Sequence, residues 1–268
     1  MRDVLLHLRF PFVFVLSPIY VWGAYAVPEW NARTTLGFLL VHLALYPGAN
    51  AFNTAYDRDT GPIGGLARPP AVPQRLATWS TVLQAAGGVL ALLVGRVFVL
   101  AYAALWAVFS AYSHPRTRWK RSPWLATPAI VVGQGGLGWL LGWSAAGGTA
   151  SSQAWNPWSL AAACAAVLAF FPFTQIYQRD ADAARRDRTL AAVLGTRGTF
   201  LLGAAAFLVI AGCGWALELP GVSVYGLVVA LPAAGAALAG RAPSHRRVMA
   251  VAYTNGAFLL AYMIVTWP

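Results

Sequence analysis

What most constrains this chain is a succession of apolar runs, each about as long as a bilayer is thick. A membrane-spanning helix needs about 20 mostly apolar residues. Such runs lie near 10–27, 35–56, 76–95, 97–113, 124–146, 157–177, 199–217, 222–240 and 247–267. The connections between them are short, so the 268 residues leave no room for a soluble domain and read as one unit, 1–268. The chain is 59% hydrophobic and only 10% charged, where an ordinary soluble domain carries about 25% charged residues. A surface so poor in charge must face lipid. The expected fold is therefore all-α, a polytopic membrane protein of nine transmembrane helices. The first run, MRDVLLHLRFPFVFVLSPIYVWGAYAV, begins like a signal peptide. It is long and aromatic, is interrupted by Pro11 and Pro18, and has no convincing cleavage site before Pro28, so it is expected to be the first membrane helix. Cys164 and Cys213 lie inside apolar runs and read as packed small hydrophobes.

The charges test the helix count. With nine spans, 17 of the 19 Lys and Arg residues fall on the side of the N-terminus, and only Arg33 and Arg96 fall on the other. That is the asymmetry of the positive-inside rule. It places the N-terminus and the basic connections in the cytoplasm and the C-terminus outside, in the inner or plasma membrane if the source is bacterial. The net charge of +11 is thus assigned to topology and anionic headgroups of membrane lipid, and not to nucleic acid. Acids do not follow that rule, yet Asp57, Asp59, Asp180, Asp182 and Asp187 all fall in the connections after the second and sixth helices.

Both clusters continue polar faces. On the second helix His42, Tyr46, Asn50, Asn53 and Asp57 step by three or four residues, one face of a helix. On the sixth, Gln175, Gln178 and Asp182 do the same. The two ends look like twin devices, an amide one turn before a carboxylate, each followed by a basic loop. For His42 alone, bonding to a neighbouring helix is the favoured reading. For the paired clusters a site is favoured, because ionisable groups are costly in a membrane and mark function. The segment GPIGGLARPP, residues 61–70, supports two readings: a cap over such a site, or a plain turn.

Facing carboxylates amid many arginines call for a cation between them. Mg2+ takes a few carboxylate or amide oxygens and fills its other positions with water or phosphate. Arginines suit a diphosphate, which they grip bidentately. A metal-bound diphosphate at the mouth of an oily cavity implies an amphiphile with an apolar tail, such as an isoprenyl diphosphate.

These motifs resemble the UbiA superfamily of intramembrane prenyltransferases. NTAYDRDTG matches that family's first aspartate-rich motif at Asn53 and Asp57, and QRDADAARRDRTLAAVLG matches the second at Asp182, Thr189 and Leu190. YSHPRTRWKRSPW is similar to its basic loop, and GQGG around Gln134 has a counterpart. Three positions depart from the pattern: Thr54, Gly61 and Gln178 stand where the family has aspartate. The resemblance implies a UbiA-like bundle in which Asn53, Asp57 and Asp182 are catalytic and hold Mg2+, helped by Asp59, Asp180 and Gln178. It implies that Arg58, Arg116, Lys120 and Arg188 neutralise the diphosphate, with Tyr112 and Tyr177 in the pocket. The implied reaction is Mg2+-dependent transfer of an isoprenyl group to a lipophilic acceptor, with His42 as a candidate base. A terpene cyclase and a non-catalytic lipid-binding or transport protein of the same fold are the alternatives.

Overall fold

The computed structural model describes residues 1–27, 29–148 and 155–267. Among these, nine helices are long and apolar enough to cross a membrane: α1 (Arg2–Tyr25), α2 (Ala32–Asp57), α3 (Leu76–Leu93), α4 (Arg96–Ser113), α5 (Pro123–Ala145), α6 (Pro157–Ala184), α7 (Leu190–Ala216), α8 (Pro220–Ala239) and α9 (His245–Val265). The number matches the expected nine. Three boundaries differ, each because a polar turn extends an apolar run. Helix α1 begins at Arg2 and is broken at Arg9, which takes a left-handed conformation (φ 53°) just before Pro11. Helix α6 rewinds after a short 3₁₀ turn and continues to Ala184. Helix α7 starts at Leu190, where the Thr189 hydroxyl caps the Ala192 N–H at 3.3 Å, and is kinked at Gly195 (φ 66°).

In lipid the helices gain nothing from burying oil against oil, so close packing and small residues hold the bundle together. The crossing of α1 with α5 shows this. A side chain at Gly23 would collide with the Trp139 carbonyl, and one at Gly142 with the Tyr20 carbonyl. Helix α7 meets α8 in the same way, through Gly214 and Gly226. Large side chains fill the interior between α1, α2, α4 and α5, including Tyr20, Leu45, Phe98, Tyr102, Leu105 and Trp139. The outside is equally apolar: Trp124, Trp215, Leu231 and Leu238 are exposed, as a surface solvated by lipid requires.

The helices run their polar ends toward one another at one end of the bundle. There α2 stops at Asp57, α6 stops at Ala184, and the 61–70 segment and the 114–122 turn lie between them.

Candidate active site

Helix α2 ends because Arg58 adopts a left-handed cap (φ 50°), its N–H bonding the Thr54 carbonyl at 2.9 Å. The reversal leaves Asp57 as the last helical residue and brings Asp59 back to the same side, so both line one cavity. A second left-handed residue, Arg118 (φ 38°), precedes a single 3₁₀ turn, Trp119–Arg121. This fold of the backbone turns Arg118 and Lys120 inward together.

Lys120 is buried, and its ammonium closes on both carboxylate oxygens of Asp57 and donates to Asn53 Oδ1 at 3.2 Å. Arg118 forks onto Asp187, Nε to Oδ1 at 3.3 Å and Nη2 to Oδ2 at 2.9 Å, and Nη2 also reaches Asp57 Oδ1 at 3.4 Å. Arg185 pairs with Asp59, with Asp182 at 2.7 Å and with Asp187 at 3.6 Å. Four carboxylates and three basic groups thus alternate in one network that joins the end of α2 to the end of α6. Burial pulls the Lys120 ammonium below its ordinary pKa, and Asp57 opposes that shift. Burial also pulls on Arg185, but Asp59, Asp57 and Asp182 outweigh it and hold the guanidinium above its usual value. Breaking one member of a buried pair costs about 3–5 kcal/mol because its partner stays charged, so this network is rigid only as a whole.

The network closes one end of a cavity of about 250 Å3. Its other walls are mostly apolar and aromatic, from Phe12, Val13, Ile19, Phe109, Val167, Phe170, Phe171 and Leu259, with Gln134, Thr174, Gln175 and Asn255 set among them. Tyr112 also lines it, with Lys120 Nζ 5.9 Å from the ring centre.

The 61–70 segment sits on this cavity. Ile63 and Leu66 exchange two backbone hydrogen bonds of 2.9 Å, with Gly65 at φ 80°, and Gly64 presses on the Phe12 ring so closely that a side chain there would clash. Three helices hold the segment. Arg9 donates to Gly64 O at 3.4 Å and to Asn50 O at 2.9 Å. Gln178 donates to Pro62 O at 3.2 Å, and His245 Nε2 to Ile63 O at 2.9 Å. The segment is therefore seated as a cover on the cavity, with Ile63 and Gly64 in its lining.

Asn53, Asp57, Asp59, Tyr112, Lys120, Tyr177, Gln178 and Asp182 all line the cavity. Arg58, Arg116, Asp180 and Arg188 are exposed and lie outside its lining. His42 also lies outside it: a π-helical turn over Val41–Leu45 offsets the stripe there, and Nδ1 bonds the Phe38 carbonyl of its own helix at 2.8 Å. Tyr46, Asn50, Asn53 and Asp57 keep the stripe's course along the cavity. Three charged residues of the site were read only as topology, Arg9, Arg118 and Arg185, while Asp187 was placed in the second acidic cluster without a role of its own. Arg9 had one usable sign, a cation within an apolar run beside Phe-Pro.

No three His, Cys, Asp or Glu side chains among the described residues gather closely enough to form a ready-made metal cage. The donors present are nevertheless hard oxygens on both flanks of the cavity, from Asn53, Asp57, Asp59 and Asp182. This set fits Mg2+, which is commonly bound through one or two carboxylates together with substrate phosphates.

The model of the UbiA prenyltransferase family matches residues 10–264. No curated protein matches the chain. Among solved structures, a UbiA homologue from Archaeoglobus fulgidus bound to DMAPP and Mg2+ superposes with a TM-score of 0.74 at 17% identity, covering 98% of each chain. The same homologue bound to GPP and Mg2+ gives the same values. A UbiA homologue from Aeropyrum pernix K1 in its apo form gives 0.66 at 20% identity, covering 95% of this chain and 97% of that one.

Proposed function

We propose that this chain, which belongs to the UbiA prenyltransferase family, transfers an isoprenyl group from an isoprenyl diphosphate to a lipophilic acceptor within the membrane. The observation that carries the reading is the charged network set against a cavity whose remaining walls are mostly apolar and aromatic. Lys120 and Arg185, in the cavity lining, and Arg118, partly buried just behind it on Asp57 and Asp187, supply donors for the diphosphate, the two guanidiniums bidentately. Asn53, Asp57 and Asp182, with Asp59, would hold Mg2+, which when bound stabilises charge on the departing diphosphate. The rings of Phe109, Phe170, Phe171 and Tyr112 would offer π faces to the allylic cation left behind, in a mostly apolar space that would limit competing water. The seated 61–70 segment adds to that exclusion. The solved relatives bound to DMAPP or GPP with Mg2+ support the choice of donor substrate.

Membranes containing the chain should release diphosphate from an isoprenyl diphosphate when Mg2+ is present, and stop when EDTA is added. Release that needs an added acceptor extract identifies transfer. Release with a cyclic product and no acceptor identifies a cyclase instead. Binding with no release at all removes the enzyme reading.

The charge asymmetry further supports a cytoplasmic N-terminus and site, with the C-terminus outside. A periplasmic-type reporter fused after the last helix should be active, and the same reporter in the 114–122 turn inactive. The reverse pattern would refute the orientation.

A further inference from the structure

Asp187 lies off the two polar faces that end at Asp57 and Asp182, is 5% exposed, and yet lines the cavity. Its place is set by the backbone. Its N–H bonds the Asp182 carbonyl at 2.9 Å, Arg186 takes a left-handed turn (φ 59°), and the Arg188 N–H bonds the Arg121 carbonyl at 3.2 Å. These bonds lock the segment after α6 onto the turn after α4. Asp187 then stands between two guanidiniums that come from different segments. Arg118, just behind the cavity lining, engages it with a fork at 3.3 and 2.9 Å, and Arg185, within the lining, brings Nε to 3.6 Å.

The other partners of those arginines are Asp57, Asp59 and Asp182. In the proposed reaction these are the residues expected to turn toward Mg2+. Asp187 is the carboxylate left to hold both arginines when they do. Resting on the prenyl-transfer reading, we propose that Asp187 is a positioning residue that couples Arg118 and Arg185 into one diphosphate-gripping unit. It does so without coordinating the metal itself. A fork held in this way keeps its plane and direction, which an ammonium or a loosely held guanidinium does not. Each cation of the network also faces at least one carboxylate, so the unit stays ordered before substrate arrives.

The test uses the full chain purified in nanodiscs, with inorganic pyrophosphate as the probe at saturating Mg2+. Asp187→Asn should weaken pyrophosphate binding about tenfold or more. The KM for isoprenyl diphosphate should rise in step, while the Mg2+ concentration at half-saturation stays put. Asp187→Glu should recover part of the affinity. Arg118→Lys, which keeps the charge and loses the fork, should weaken binding similarly, and adding Asp187→Asn to it should cost little more. A shift in Mg2+ dependence with pyrophosphate affinity unchanged would make Asp187 a metal ligand and overturn the proposal. So would full affinity in either Asp187→Asn or Arg118→Lys, or additive losses in the double variant. If the wild-type chain itself binds no pyrophosphate, the prenyl-transfer reading fails too. Equal binding by wild type and Asp187→Asn defeats only the positioning role.

Discussion

The ends of α2 and α6 carry the same written device, an amide four residues before an aspartate, and the folded chain uses the two differently. At the end of α2 the helix is regular up to its left-handed cap, so Asn53 and Asp57 share a face and both meet Lys120. At the end of α6 a 3₁₀ turn over Ile176–Gln178 interrupts the helix. A 3₁₀ turn winds tighter than an α-helix and resets the register of side chains beyond it. Asp182 still reaches the network through Arg185, but the Gln178 amide turns to the Pro62 carbonyl and holds the cover segment. Matching spacing therefore identifies matching carboxylates, while the amides have diverged into one site group and one latch.

This contrast can be broken at several points. The carboxylates should behave alike. Asp57→Asn and Asp182→Asn should each cut Mg2+-dependent diphosphate release about 100-fold, measured on purified protein with normal thermal unfolding. A large loss in one and none in the other would show that only one half of the site carries the chemistry. The amides should separate. Asn53→Ala should cost about tenfold in the same assay. Gln178→Ala removes one hydrogen bond to the cover, worth about 1 kcal/mol. It should leave the rate within a few-fold and speed proteolysis within residues 61–70. Equal losses for the two would restore the twin reading. The smallest effect is expected from Arg58→Ala, Arg116→Ala and Arg188→Ala. As exposed side chains outside the cavity lining, each should change the rate less than about twofold. A tenfold loss at any of them would show that the loops rearrange around the diphosphate.

The pattern of these effects follows from what a sequence can carry. The nine helices were legible because lipid enforces a minimum apolar length and charges cannot hide within it. Asp57 and Asp182 were legible because each continues a polar face on a helix. The choice among basic residues was not. Arg116, Arg118 and Lys120 lie within five residues of one another, and which of them faces inward is decided by one left-handed backbone angle at Arg118. Such an angle in a non-glycine residue costs about 1–2 kcal/mol and is dictated by the packing around it, here the fork onto Asp187 and the bond between Arg188 and Arg121. The π-helical offset at Val41–Leu45, which takes His42 off the cavity, likewise has no mark in the spacing of the stripe.

The seating of the 61–70 segment also has a consequence in time. Its anchors come from both extremes of the chain: Arg9 near the start, His245 and Met249 in the last helix. A ribosome delivers α2, its aspartates and the segment itself long before it delivers α9. During synthesis the cover has no complete seat, and the site stays open to water until the final helix joins the bundle. Assembly of the last helix is thereby the event that completes the seat of the cover, so a chain cut short before His245 would be left with its carboxylates and no shelter.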